Sequence, residues 1–161
     1  EMACGSQALA LLNAAFDQNR QVSQAFSAKI TETGEAARRM NELLSAQKYR
    51  MAGLEKRVFA GIAESYGNRG NVLHFEEDLS ADGVRELADA IADKCGGTAA
   101  VFSGSDGGYA YCLIARQGDL RQLGRDMTAA LHGRGGGKPL CQQGRVQAAK
   151  GEIEAFFADR Q

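Results

Sequence analysis

Apolar side chains recur at alternating intervals of three and four residues through the first part of the chain. One such series covers residues 9–33, and a second covers residues 37–58. This spacing places the apolar residues along one side of an α-helix, as in the seam of a coiled coil. The segment Thr31–Gly34 lies between the two series, and Gly34 favours a turn there. Residues 6–68 are therefore predicted to form a long antiparallel helical hairpin.

The predicted seam is not wholly apolar, because Asn19 and Ser23 occupy two of its positions. Polar residues at such positions weaken the packing of a coiled coil. A two-helix hairpin also leaves apolar surface on its outer side. Phe59, Ile62 and Tyr66, near the end of the second helix, must then pack on the rest of the chain or on a second copy. If the chain forms a homodimer, we expect the hairpin to be the contact.

Beyond residue 68 the pattern alternates between short apolar runs and helical spacing. Strands are predicted at Val72–Phe75, Ala99–Ser103, Tyr109–Ala115 and Val146. Helices are predicted over residues 82–95, 119–131 and 150–160. Ser105–Gly108 favours a turn that joins two strands into a hairpin. We therefore predict a compact α/β domain with a mixed sheet, and the α+β class for the chain as a whole.

Composition excludes several classes of protein. The chain has 161 residues and a net charge of −1, which is unlike a strongly basic nucleic-acid binder. No apolar run approaches the ~20 residues that a membrane-spanning helix needs. The four cysteines and two histidines are scattered, so no local metal site is expected. These features favour a cytoplasmic protein with free thiols and no membrane partner.

Charge is distributed unevenly along the chain. Residues 116–150 contain seven Arg and Lys residues but only two Asp residues. This segment therefore carries positive charge, and the remainder is acidic. A local basic patch could give modest, salt-sensitive affinity for phosphate groups.

The same segment contains the glycine-rich sequence Gly133–Pro139, followed by Gln142, Gln143 and Gly144. Successive glycines can adopt positive φ and allow another molecule to approach the backbone closely. Spacing excludes a Walker A loop, because Pro139 stands where that motif has Ser or Thr. We predict a phosphate- or RNA-binding loop formed by these residues: His132, Arg134, Gly135, Gly136, Gly137, Lys138, Gln142, Gln143 and Arg145.

The order of predicted elements, the sequence GRGGGKP and the QxG that follows it resemble the DHH-associated domain. That domain ends alanyl-tRNA synthetases, where it is called the C-Ala domain, and the long form of stand-alone alanyl-tRNA editing proteins. Cys4-Gly5 followed by Ala8-Leu9 is similar to the CGxxAL segment that closes the editing domain in those proteins. The resemblance implies three parts: the end of an upstream editing domain at residues 1–5, a helical linker at 6–68, and the DHH-associated domain at 69–161.

This resemblance implies a module that binds tRNA, in particular alanine tRNA, and that contributes to dimerisation. The parent protein would hydrolyse mischarged aminoacyl-tRNA or be the related ligase. Editing chemistry needs zinc held by HxxxH and CxxxH motifs, and the 161 residues contain neither. We therefore expect no catalytic residue and no cofactor in this chain, with zinc only in an upstream editing domain.

Two alternatives remain open on the sequence. DHH-family phosphoesterases use the same associated domain to hold a nucleotide substrate, although the DHH sequence itself is absent here. The chain could also be a purely structural dimerisation element with an inert glycine-rich segment.

Overall fold

The structure is a computed structural model that describes residues 5–158. Contacts divide the chain into one unit that ends at Ala52 and another that begins at Gly53. The domain boundary predicted between residues 68 and 69 stays a prediction. The predicted end of an upstream domain at residues 1–5 lies, apart from Gly5, outside the described residues.

The first unit contains helix α1 (Ser6–Ala25), a 3-10 turn (Ile30–Glu32) and the first part of helix α2 (Thr33–Ser65). The predicted break at Thr31–Gly34 was wrong: the chain turns earlier, at Ser27, where φ is 49°. Hydrogen bonds made by polar residues of the seam hold the turn at this earlier position. The Asn19 amide donates to the Ile30 carbonyl oxygen at 3.0 Å, and the Thr33 hydroxyl donates to Asn19 Oδ1 at 2.7 Å.

Apolar seam residues of the two helices are not buried against one another. The side chains concerned are at least 43% exposed: Leu9, Leu12, Phe16, Met40 and Leu44. Partial burial in this unit is found mainly beside the turn, at positions such as Asn19, Phe26 and Ile30. The packed seam predicted from the heptad spacing is therefore wrong for the single chain, and a homodimer through these helices stays a prediction.

The second unit is built around a five-stranded sheet in the order β1-β2-β3-β5-β4. Its strands are β1 (Gly70–Glu76), β2 (Gly96–Ser105), β3 (Gly108–Ala115), β4 (Arg134–Lys138) and β5 (Cys141–Val146). Strand β1 runs parallel to β2, and the other pairs are antiparallel. The sheet is mixed, as predicted, and the α+β class is confirmed.

Helices cover both faces of this sheet. They are α3 (Ala81–Cys95), α4 (Arg121–Ala130) and α5 (Lys150–Ala158). Helix α3 packs on one face together with Phe59 and Ala63 from the end of α2, so these α2 residues pack on the rest of the chain. On the other face, α4 and α5 cover a core that includes Phe102 and Leu113.

Helix α3 begins and ends where sequence patterns place the boundaries. The Ser80 hydroxyl accepts a hydrogen bond from the Gly83 backbone N–H at 3.0 Å, which satisfies one free donor of the first turn. Gly96 has φ 76° and stops the helix, and strand β2 begins at once. The start of α3 lies beside β4 and β5, because Ala81 and Asp82 line the same cavity as Arg134 and Arg145.

Candidate nucleic-acid interface

The glycine-rich segment, predicted to be a loop, is instead the edge strand β4 (Arg134–Lys138). No β4 glycine has positive φ, so the first of the two expected reasons for glycine was wrong. At two of the three positions glycine is needed because neighbouring atoms lie too close to the backbone for a side chain. A Cβ at Gly135 would collide with the Tyr111 hydroxyl, and one at Gly137 would collide with the Cys141 carbonyl oxygen. A Cβ at Gly136 would meet nothing within 4 Å.

Strand register decides which side chains share a face. Arg134 lies opposite Arg145, Gly136 opposite Gln143, and Lys138 opposite Cys141. Directly opposite residues project from the same face, and alternate residues along a strand project together. Gln143 lies opposite Cys112, whose side chain belongs to the core beneath α3. We call this open surface the β4–β5 face; it consists of Arg134, Gly136, Lys138, Gln143 and Arg145.

Gln142 projects from the opposite face and is only 3% exposed. Its amide donates to the Lys138 carbonyl oxygen at 2.7 Å and thereby supports the turn between β4 and β5. Its side chain also packs beside Gly124 of α4. This geometry favours a structural part for Gln142, although it was predicted as a contact residue.

His132 connects α4 to β4 with φ 49°, a conformation in which few residues other than glycine are found. Its side chain is exposed and lines a cavity of about 790 Å³. The remaining lining comes from the start of α3, from β3, β4 and β5, and from the residue after β5: Ala81, Asp82, Val84, Ala110, Tyr111, Arg134, Gln143, Gly144, Arg145 and Gln147. The structure therefore brings four of the predicted residues together: His132, Arg134, Gln143 and Arg145.

Some of the cations in residues 116–150 form ion pairs with described residues and others do not. Away from the β4–β5 face, Arg116 pairs with Asp89 and Asp93, and Arg121 pairs with Asp119. Hydrogen bonds from Arg121 lower the pKa of Asp119 to about 2. On the β4–β5 face, by contrast, the three cations form no ion pair within residues 5–158: Arg134, Lys138 and Arg145.

Arg134 and Arg145 face one another across β4 and β5. Like charges directly opposite each other on adjacent strands are destabilising. An anion placed between the two guanidinium groups would relieve that repulsion and accept hydrogen bonds from both. The arrangement is therefore suited to a phosphate or another anionic group.

Two residues of α3 that border this surface were not predicted from the sequence. Asp82 lines the same cavity as Arg134, and Arg85 lines a neighbouring cavity of about 370 Å³ with Leu140 and Cys141. Arg85 forms no ion pair with any other described residue. Helical spacing alone could have grouped them on the polar side of α3, but only the fold shows which strands that side adjoins.

No group of three or more metal-ligating side chains is found among the residues that the structure describes. Cys112 and Cys141 are free thiols on neighbouring strands, with their sulfur atoms 4.0 Å apart. Burial raises the pKa of the Cys112 thiol to about 12. Within the described range, no helix combines the length and apolar character needed to cross a membrane.

No protein-family model matches the sequence, and a search of curated proteins also gives no match. Among solved structures, the chain is similar to the C-Ala domain from Aquifex aeolicus alanyl-tRNA synthetase. The two sequences are 18% identical, and the match has a TM-score of 0.44. It covers 52% of this chain and 85% of that domain, which is the type of domain that the glycine-rich motif resembles.

Proposed function

We propose that this chain is a tRNA-binding module that acts through the β4–β5 face. The observation that carries the proposal is the set of unpaired cations Arg134, Lys138 and Arg145 on one open sheet face. A sheet edge with a side-chain-free centre at Gly136 lets an RNA backbone approach these cations closely. Arg85 of α3 lines a neighbouring cavity with Cys141, the residue opposite Lys138.

The glycine-rich motif resembles the DHH-associated domain. This resemblance indicates which RNA the module would bind and what kind of protein would contain it. On this basis the chain would serve an alanyl-tRNA editing protein or a related synthetase, with alanine tRNA as its partner. Catalysis would reside elsewhere in such a protein, and dimerisation through α1 and α2 would be a second task of the module.

A matched pair of double variants tests the proposal. Arg134→Ala with Lys138→Ala removes two unpaired cations from the β4–β5 face. Arg121→Ala with Arg125→Ala removes the same charge from α4, where Arg121 pairs with Asp119 and Arg125 donates to Gln122. Binding of fluorescently labelled tRNA would be measured by anisotropy across a salt series for the wild type and both variants.

Wild-type affinity should fall about tenfold between ~50 and ~200 mM salt if two phosphates are neutralised, because bound counterions are released. The β4 double variant should bind weakly and lose most of this salt dependence. The α4 double variant should keep it. Equal binding by the β4 variant and the wild type at every salt concentration would contradict the proposal, as would failure of the wild type to bind tRNA at low salt.

A further inference from the structure

The cavity beside the β4–β5 face contains a carboxylate among its cations. Asp82, in the first turn of α3, lines the cavity together with Arg134 and Arg145. A surface that binds only phosphate gains nothing from a carboxylate, because like charges repel. Asp82 forms no ion pair or side-chain hydrogen bond with any described residue, so its acceptor atoms are open to a ligand.

The other polar groups of the cavity are also without intramolecular partners in the described chain. They comprise two guanidinium groups, two carboxamides and an imidazole: Arg134, Arg145, Gln143, Gln147 and His132. Between them lies a floor of small or apolar residues that includes Ala81, Val84 and Ala110. A volume of about 790 Å³ with an apolar floor and a few converging polar groups is typical of a small-ligand site.

We infer that this cavity receives one unpaired guanine of the bound RNA, read by the Asp82 carboxylate. The inference rests on the proposed function, because the phosphates flanking that base would lie on Arg134 and Arg145. An ionised carboxylate accepts hydrogen bonds and donates none. Guanine is the base whose Watson–Crick edge offers two adjacent N–H donors, at N1 and N2, to one such group. Single-stranded bases in RNA are commonly read on this edge.

The test uses oligoribonucleotides that differ in one atom group. Uridine-rich strands of equal length would carry a single central guanosine or inosine, since inosine lacks only the exocyclic amine. Affinity would be measured for the full chain by fluorescence anisotropy at low salt. Wild type should bind the guanosine strand about tenfold more tightly, in the range expected for a bidentate base contact.

Two charge-matched variants separate base reading from bulk electrostatics. Asp82→Asn should abolish the preference for guanosine over inosine, because the carboxylate that accepts from both guanine donors is removed. Glu86→Gln removes the same charge from α3 but lies at the neighbouring cavity, so it should strengthen binding and keep the preference. Folding of both variants would be checked by circular dichroism.

Three results would overturn the inference. Salt-dependent binding of both strands by the wild type with equal affinity would reject guanine reading and leave the proposed RNA-binding function intact. An unchanged preference in folded Asp82→Asn would reject Asp82 as the reader. Absence of binding to any RNA at low salt would reject both the function and the inference built on it.

Discussion

Single residues decide how the β4–β5 region is built, and Tyr111 shows this most directly. Its side chain is 2% exposed, and a Cβ at Gly135 would collide with its hydroxyl. The ring therefore depends on glycine in the edge strand. Its hydroxyl has no hydrogen-bond partner among the described residues, and burial raises its pKa. A buried donor without a partner costs stability.

Tyr111→Phe should consequently leave the free energy of unfolding unchanged or raise it by about 1 kcal/mol, because the desolvated hydroxyl is removed. Tyr109→Phe is the matched control: the Tyr109 hydroxyl donates to Asp106 at 3.2 Å. Its loss should lower the free energy of unfolding by about 0.5–1.5 kcal/mol. Urea unfolding followed by far-UV circular dichroism measures both changes. Destabilisation of Tyr111→Phe beyond that of Tyr109→Phe would show that the Tyr111 hydroxyl has a partner after all.

At the scale of the element, β4 combines glycines that the fold needs with one that it does not. Gly135 and Gly137 face neighbouring backbone or side-chain atoms, whereas Gly136 lies on the open face. The strand therefore offers a substitution that alters the surface alone.

Gly136→Val should keep or slightly raise the urea midpoint, because valine suits a strand better than glycine. It should weaken tRNA binding about tenfold or more, since a side chain would then separate the RNA from the strand backbone. Gly137→Val should instead lower the free energy of unfolding by about 1–3 kcal/mol, because its Cβ collides with the Cys141 carbonyl. Normal tRNA affinity of Gly136→Val would argue against backbone approach at this point.

Helices and strands could be predicted from the sequence where the local residue pattern matches the element found in the fold. The strand and helix patterns of β1, α3, β3 and α4 are local, and Ser80 and Gly96 mark the ends of α3. The β4 strand was missed because a run of glycines favours a loop by intrinsic preference. Pairing with β5, which follows β4 after a two-residue turn, makes it extended, and this hairpin was missed because a strand was predicted only at Val146.

Part of the site could be predicted because some of its residues are neighbours in the sequence. His132, Arg134 and Arg145 are close in sequence and also in space. The burial of Gln142 and the positions of Asp82 and Arg85 depend on strand alternation and on the placement of α3, which sequence alone did not supply.

In the whole molecule, ion pairing of the cations in residues 116–150 leaves most of the free positive charge of that segment on the β4–β5 face. The net charge is −1, yet neighbouring acids neutralise Arg116 and Arg121, while the β4–β5 face keeps its cations free. Affinity for a polyanion therefore depends on where the charge lies and not on its total.

Bound tRNA should accordingly stabilise the folded chain by linkage. At a free tRNA concentration about 100 times Kd, the expected gain is about 2.7 kcal/mol in the free energy of unfolding. Pulse proteolysis in urea measures this gain in the presence of RNA. The double variant Arg134→Ala with Lys138→Ala should show little of it, and Arg121→Ala with Arg125→Ala should show all of it. Equal gains in both variants would indicate that tRNA binds elsewhere.

The position of β4 at the end of the sheet has one more consequence. An edge strand exposes unpaired backbone groups that can template the strand of another chain, and lysine at an edge opposes such pairing. Glycines also make β4 a poor β-former, so its edge is a weak template for aggregation. Lys138 and the three glycines thus oppose edge-to-edge association at the same place where RNA binding is proposed.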